Sequence, residues 1–230
     1  MENVVHTLQK LNYPFDIVIV DDGSTDGTAK KALESGSMVV SHPTNLGYSS
    51  AIQTGFKYAE KKNYPYVIFF DGDGQHDPNS MIDMMDAIKL EDVDVVIGSR
   101  FLRDGDMKIG FSKMMAITFF QHIIYLTTRK RITDPTSGFK AYKAKVYKRF
   151  TKPNEFLYDL PDSNFIIDIL LRKYTILEIP VNMFDRTNGE SKIHKTGIKP
   201  IIYMAQTLLS ILIVIIKKKR VLKVGGKLNE

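Results

Sequence analysis

"YPYVIFFDGDGQHDP" (residues 64–78) runs a short apolar stretch, Val67 to Phe70, directly into Asp71-Gly72-Asp73. The stretch has the length and composition of a buried strand. Aspartate is depleted in strands, and two carboxylates one residue apart repel each other. One reading is a solvated loop, with Asp77-Pro78 opening the next helix. The other is that both carboxylates reach a single hard cation at the strand end, with Gly72 leaving room between them. Magnesium or manganese is commonly held by one or two carboxylates, with substrate phosphates and water completing the shell. A bound dication would then offset the repulsion, and the strand would supply rigidity.

Apolar runs and helical patterns alternate on both sides of this segment. FDIVIV (15–20), MVVS (38–41), YVIFF (66–70) and VDVVIG (93–98) read as strands. Thr25 to Ser35, Gly47 to Lys62 and Asn79 to Lys89 read as helices, the second with Ala51, Ile52, Gly55, Phe56 and Ala59 on one face. Continuous Val/Ile runs separated by helices predict an α/β fold, a mostly parallel, doubly wound sheet flanked by helices. Ligands of such sheets sit beyond the carboxyl ends of the strands, where Asp21-Asp22 and Asp71/Asp73 both fall. The second half is less regular. Helices are expected over 111–128, 163–173 and 198–218, and a strand pair or kinked strand over 175–184.

The chain has 230 residues, 43% hydrophobic and 25% charged, which suits a globular domain with a sizeable core. It contains no cysteine, so disulfides and thiolate metal sites are excluded. A net charge of +6 fits an anionic partner such as a nucleotide or phospholipid head groups. The excess is small and no nucleic-acid motif accompanies it, so nucleic acid is not expected as a partner. The first residues, MENVVHTLQKLNYPF, lack the pattern of a secretory signal.

VDDGSTDGT (20–28) admits two readings: a tight turn with helix-cap chemistry, or carboxylates that accept hydrogen bonds from a nucleotide's base or ribose. Six segments in order, IVDDGSTDGT, NLGYSSAIQTGFKYA, DGDGQHDP, VIGSRF, DPTSGFKAYK and RTNGESK, resemble the family-2 glycosyltransferases of GT-A fold. The closest likeness is to the polyprenyl-phosphate, dolichol-phosphate mannose synthase-like branch. The resemblance covers roughly residues 15 to 196 and implies roles for individual residues. Asp22, with Asp21 beside it, would contact the nucleotide. Asp71 and Asp73 would hold Mg2+ or Mn2+, with Gln75 as a further ligand or phosphate contact. Arg100 would sit near the sugar or phosphate. Ser137 and Gly138 would line the acceptor side, just after Asp134. Arg186, Ser191 and Lys192 would belong to a loop closing over the phosphates. The implied reaction is inverting transfer from a nucleotide-diphosphate sugar to a polyprenyl phosphate or other membrane-associated acceptor. A phosphate acceptor arrives ionised and needs no base; for a sugar hydroxyl, Asp134 is the candidate base.

The same family members open with a strand reading like IIPAYNE. Here ENVVHTLQKL resembles the helix that follows it, so an open ladder edge or internal gap is expected beside residues 15–20. The transferase domain is expected over 1–196, and a membrane-associated helix with a basic tail over 197–230. IIYMAQTLLSILIVII (201–216) precedes KKKR (217–220). Sixteen residues at about 1.5 Å each reach about 24 Å, short of the roughly 30 Å hydrocarbon core. An interfacial helix at the cytoplasmic face is the expected arrangement, with the basic cluster on anionic head groups. The competing functions are an inactive relative that binds nucleotide or membrane only, and a sugar-phosphate nucleotidyltransferase.

Overall fold

The computed structural model describes residues 2–11, 13–102, 110–153, 155–156, 162–184 and 199–225. The first half alternates as its apolar runs require: α1 (Glu2–Lys10), β1 (Val18–Asp21), α2 (Thr28–Glu34), β2 (Met38–Ser41), α3 (Tyr48–Lys61), β3 (Tyr66–Phe69), α4 (Ser80–Lys89) and β4 (Val95–Ser99). Then follow α5 (Phe111–Thr128), β5 (Lys140–Lys143), α6 (Ala144–Tyr147), α7 (Ser163–Leu171), β6 (Ile176–Pro180) and α8 (Lys199–Gly225).

The larger sheet has the order β3-β5-β4-β6. Strands β3, β4 and β6 run in one direction, and β5 alone is antiparallel, between β3 and β4. This is the α/β arrangement expected, with one strand unforeseen. The KAYK sequence of β5 carries a lysine at each end and lacks the apolar run that marks its neighbours. Where a strand pair or kinked strand was expected over 175–184, the structure has the strand β6, followed by an isolated antiparallel bridge from Met183 to His76. Helices cover both faces, so β4 is buried along its whole length. One core layer lies under α3, α5, α7 and α8, where the Phe56 ring packs 4.9 Å from Phe69 and 5.3 Å from Tyr142. On the opposite face, Leu8, Met84, Ile88, Val96 and Phe139 form a second layer.

β1 and β2 form a separate parallel pair. No ladder joins β1 to β3. Helix α3 bridges the interval: a Cβ on Gly55 would lie 3.0 Å from the Phe69 ring on β3 and 4.0 Å from Val20 on β1. At the amino ends of the same two strands, the Tyr64 hydroxyl donates to the Asp16 carboxylate. The gap anticipated beside residues 15–20 is therefore present.

Candidate active site

One cavity of about 1930 Å³ runs along the interval between β1 and β3 and reaches their carboxyl ends, where Asp22, Asp71, Asp73, Arg100 and Asp162 border it. Asp22 and the Asp71/Asp73 pair are far apart in sequence and border the same cavity because they follow the ends of β1 and β3.

Asp71 and Asp73 both border this cavity. The Asp71 amide donates to His76 Nδ1 at 3.3 Å, and Tyr48 Oη donates to Asp71 Oδ1 at 3.4 Å. Asp73 Oδ1 accepts the Gln75 amide at 3.0 Å, closing a tight turn. His76 is buried between the rings of Phe70 and Phe139, at 5.2 and 5.1 Å. Burial pushes its pKa below the ordinary imidazole value, although Asp71 and Asp73 pull the other way. A neutral ring with Nδ1 as acceptor thus braces the turn. Gly138 completes the wall: a Cβ there would sit 2.4 Å from Asp71 Oδ2. Among the described residues no third acidic or histidine side chain joins Asp71 and Asp73 in a ligand group. Two hard carboxylates beside an open, glycine-walled space suit a Mg2+ or Mn2+ ion that takes its other ligands from phosphate and water. Gln75 is not among the residues bordering the cavity; its carbonyl accepts the Phe184 amide at 2.7 Å.

Asp22 braces the rim of the cavity that follows β1. Its Oδ1 meets His42 Nδ1 at 2.7 Å and the Leu46 amide at 2.8 Å, and its Oδ2 takes the Gly47 amide at 2.9 Å. Burial would raise its pKa, but the His42 bond and the two amides outweigh this and hold the carboxyl below its ordinary value. A carboxylate accepts about four hydrogen bonds, so these three leave capacity for one more. Asp21 is buried, does not border the cavity, and caps the turn by accepting the Ser24 amide at 3.4 Å. The two readings of this segment thus divide between adjacent residues, a turn at Asp21 and a cavity-facing carboxylate at Asp22.

Arg100 and Asp134 form a buried fork: Nε to Oδ2 and Nη2 to Oδ1, each 2.6 Å. Nη2 also donates to Thr136 Oγ1 at 2.6 Å. Asp134 is fully buried and both its oxygens are taken by Arg100, so it orients a guanidinium rather than meeting an acceptor hydroxyl. Glu178 of β6 fixes this loop by accepting the Thr133 and Asp134 amides at 2.7 and 2.9 Å. Ser137 is likewise buried; its Oγ donates to the Gly98 carbonyl at 2.7 Å and ties β5 to β4 instead of lining a cleft. Arg186, Ser191 and Lys192 lie outside the described residues.

Sequence reasoning did not single out Lys140, Asp162 or Tyr48. Lys140 Nζ lies 4.0 Å from Asp162 Oδ1, and its side chain is almost wholly buried. Burial lowers its pKa against the pull of Asp162, Asp134 and Asp71. A lysine on the inward face of a strand that closes on three carboxylates is the signal that could have marked it.

The description "Glycosyl transferase family 2" matches residues 1–151. The undecaprenyl-phosphate mannosyltransferase of Micrococcus luteus is 28% identical over 77% of this chain and 75% of its own length. The dolichol-phosphate mannosyltransferase of Pyrococcus furiosus is 32% identical over 82% of this chain and 53% of its own length. Among solved structures, mannosyl-3-phosphoglycerate synthase from Rubrobacter xylanophilus superposes with a TM-score of 0.69 at 14% identity, covering 95% of this chain and 70% of that one. Glucosyl-3-phosphoglycerate synthase from Mycobacterium tuberculosis, in complex with Mn2+, UDP and glucosyl-3-phosphoglycerate, gives 0.61 at 16% identity over 94% and 74%. Strand ends that place paired carboxylates on one cavity, on a sheet shared with these structures, belong to a chain that is a member of glycosyl transferase family 2.

Proposed function

We propose that the chain transfers a sugar, with inversion, from a nucleotide-diphosphate sugar to a polyprenyl phosphate at a membrane surface. The observation that carries this is the shared cavity of Asp22, Asp71 and Asp73. Two relatives are named for transfer to undecaprenyl or dolichol phosphate, and a structural neighbour is described with Mn2+ and UDP. Asp71 and Asp73 would hold a divalent cation, which supplies Lewis-acid stabilisation of charge on the departing diphosphate. Asp22 would accept a hydrogen bond from the nucleoside through its remaining lone pair. Arg100, held in place by Asp134, keeps Nη1 for an anionic oxygen at the cavity wall. The burial of Asp134 favours an acceptor that is already ionised.

The same cavity extends to Met115 and Phe119 of α5, an apolar border suited to the first isoprene units. Exposed Met115 and Leu126 on α5, and Leu208, Leu209, Leu212, Ile213 and Ile216 on α8, offer apolar surface to lipid. Among the described residues no helix is long and apolar enough to cross a membrane. These features support peripheral attachment, with the cytoplasmic face as the proposed side.

The test is incubation with membranes, manganese and a panel of labelled nucleotide sugars. Label should enter the lipid fraction with one donor and vanish with EDTA or with Asp73→Ala, while the melting temperature of the variant stays near that of the parent. Near-normal turnover by Asp73→Ala would rule out the metal role. Nucleotide binding with no transfer from any donor would favour the inactive relative.

A further inference from the structure

We propose that His42 is a positioning residue for nucleotide recognition, holding the Asp22 carboxylate so that one defined lone pair faces the cavity. This rests on the proposed function, in which Asp22 meets the nucleoside. His42 directly follows β2, and its amide continues the β1–β2 ladder by donating to the Asp21 carbonyl at 2.8 Å. Its ring joins two further elements: Nδ1 lies 2.7 Å from Asp22 Oδ1, and Nε2 lies 2.8 Å from Thr54 Oγ1 on α3. Only 9% of the His42 side chain is exposed, and the residue does not border the cavity that Asp22 borders. It therefore acts through Asp22 and not on a ligand.

The proton positions follow from the partners. Burial raises the Asp22 pKa, but the His42 bond and the Leu46 and Gly47 amides outweigh it, so the carboxyl is ionised and only accepts. Nδ1 must then carry the hydrogen, and a neutral ring accepts at Nε2 from the Thr54 hydroxyl. The bonds to Asp22 divide unequally. Oδ1 takes His42 and the Leu46 amide, whereas Oδ2 takes only the Gly47 amide. The vacant acceptor position is therefore on Oδ2. Leu46 and Gly47 are consecutive and grip one oxygen each, which leaves the carboxylate free to rock about the line through its two oxygens. A third bond, from the end of β2, removes that rotation. Thr54 in turn fixes the imidazole, so the aim of Oδ2 is set by β2 and α3 together.

Titration calorimetry with manganese compares pyrophosphate with UDP, GDP, CDP and ADP on the parent and its variants. His42→Ala should weaken the best-bound nucleoside diphosphate about tenfold, the worth of one hydrogen bond to a charged group. Pyrophosphate affinity, which does not involve Asp22, should stay as in the parent. His42→Asn, whose amide can still donate to Oδ1, should recover most of the loss. In an Asp22→Ala background, His42→Ala should cost nothing more. Thr54→Val keeps the imidazole and removes its brace; it should give a smaller loss confined to nucleoside diphosphates, and it reads the same inference if His42→Ala does not fold. An equal loss for pyrophosphate, an unchanged nucleoside diphosphate affinity, or an undiminished loss in the Asp22→Ala background would overturn the proposal. A parent that binds none of the four nucleotides would overturn it together with the transfer reaction, whereas binding without transfer overturns the reaction alone.

Discussion

At Gly138 the space for a side chain is already taken by Asp71. A Cβ would lie 2.4 Å from Oδ2, so Gly138→Ala must displace the carboxylate. A misplacement near 1 Å costs about a hundredfold in rate. Turnover of Gly138→Ala should fall by about that factor, checked by steady-state kinetics alongside an unfolding curve that moves little. Asp22 gives a pH prediction. Its folded pKa lies below the ordinary value of 3.8, so its contribution to stability is complete above that value and disappears as pH falls through the lowered one. Urea unfolding of the parent should weaken below about pH 4, and Asp22→Asn should flatten that limb. The sequence disclosed the carboxylates that face the cavity, because their chemistry and their position at strand ends coincide. It misassigned Asp134 and Ser137, since a motif fixes a neighbourhood and not the direction of each side chain. Both point into the protein, one to hold Arg100 and one to hold Gly98.

The elements whose pattern is purely apolar were legible: β1, β2, β3 and β4 lie within a few residues of their expected positions. β5 was hidden because its lysines read as surface residues, whereas Lys140 is buried against carboxylates. Its ladders to β3 and β4 and its buried Ala141 and Tyr142 are long-range features that a local pattern does not record. Helix α8 was legible in position, but its pattern did not reveal which side stays bare. Ile211 and Val214 are buried, while Leu209 and Leu212 are about half exposed. Each exposed leucine inserted into lipid contributes about 2 kcal/mol. Leu209→Asp with Leu212→Asp should therefore lower partitioning onto anionic vesicles by at least about tenfold per site, without lowering the melting temperature. Vesicle sedimentation measures the first and scanning calorimetry the second. Undiminished partitioning would remove α8 from the lipid-facing surface.

For the molecule as a whole, strand–helix alternation sufficed to indicate an α/β fold, and the transferase reading came from the six segments that resemble a known family. The division of the sheet into two pieces was expected only from the resemblance, since the apolar runs of β1 and β3 do not record which strands pair. That division bears on affinity. The carboxylate suited to a nucleoside, Asp22, follows the two-stranded piece, and the carboxylates suited to a diphosphate, Asp71 and Asp73, follow the four-stranded piece. A donor spanning both would be a tether between two footholds joined through α3 and the Tyr64–Asp16 hydrogen bond, and the gain from tethering depends on how firmly those contacts hold them. The association constant of the intact nucleoside diphosphate should equal the product of the constants of its nucleoside and pyrophosphate fragments multiplied by an effective molarity, which titration calorimetry with manganese would measure. Loosening the footholds with Tyr64→Phe, which removes the Asp16 hydrogen bond, should lower that molarity.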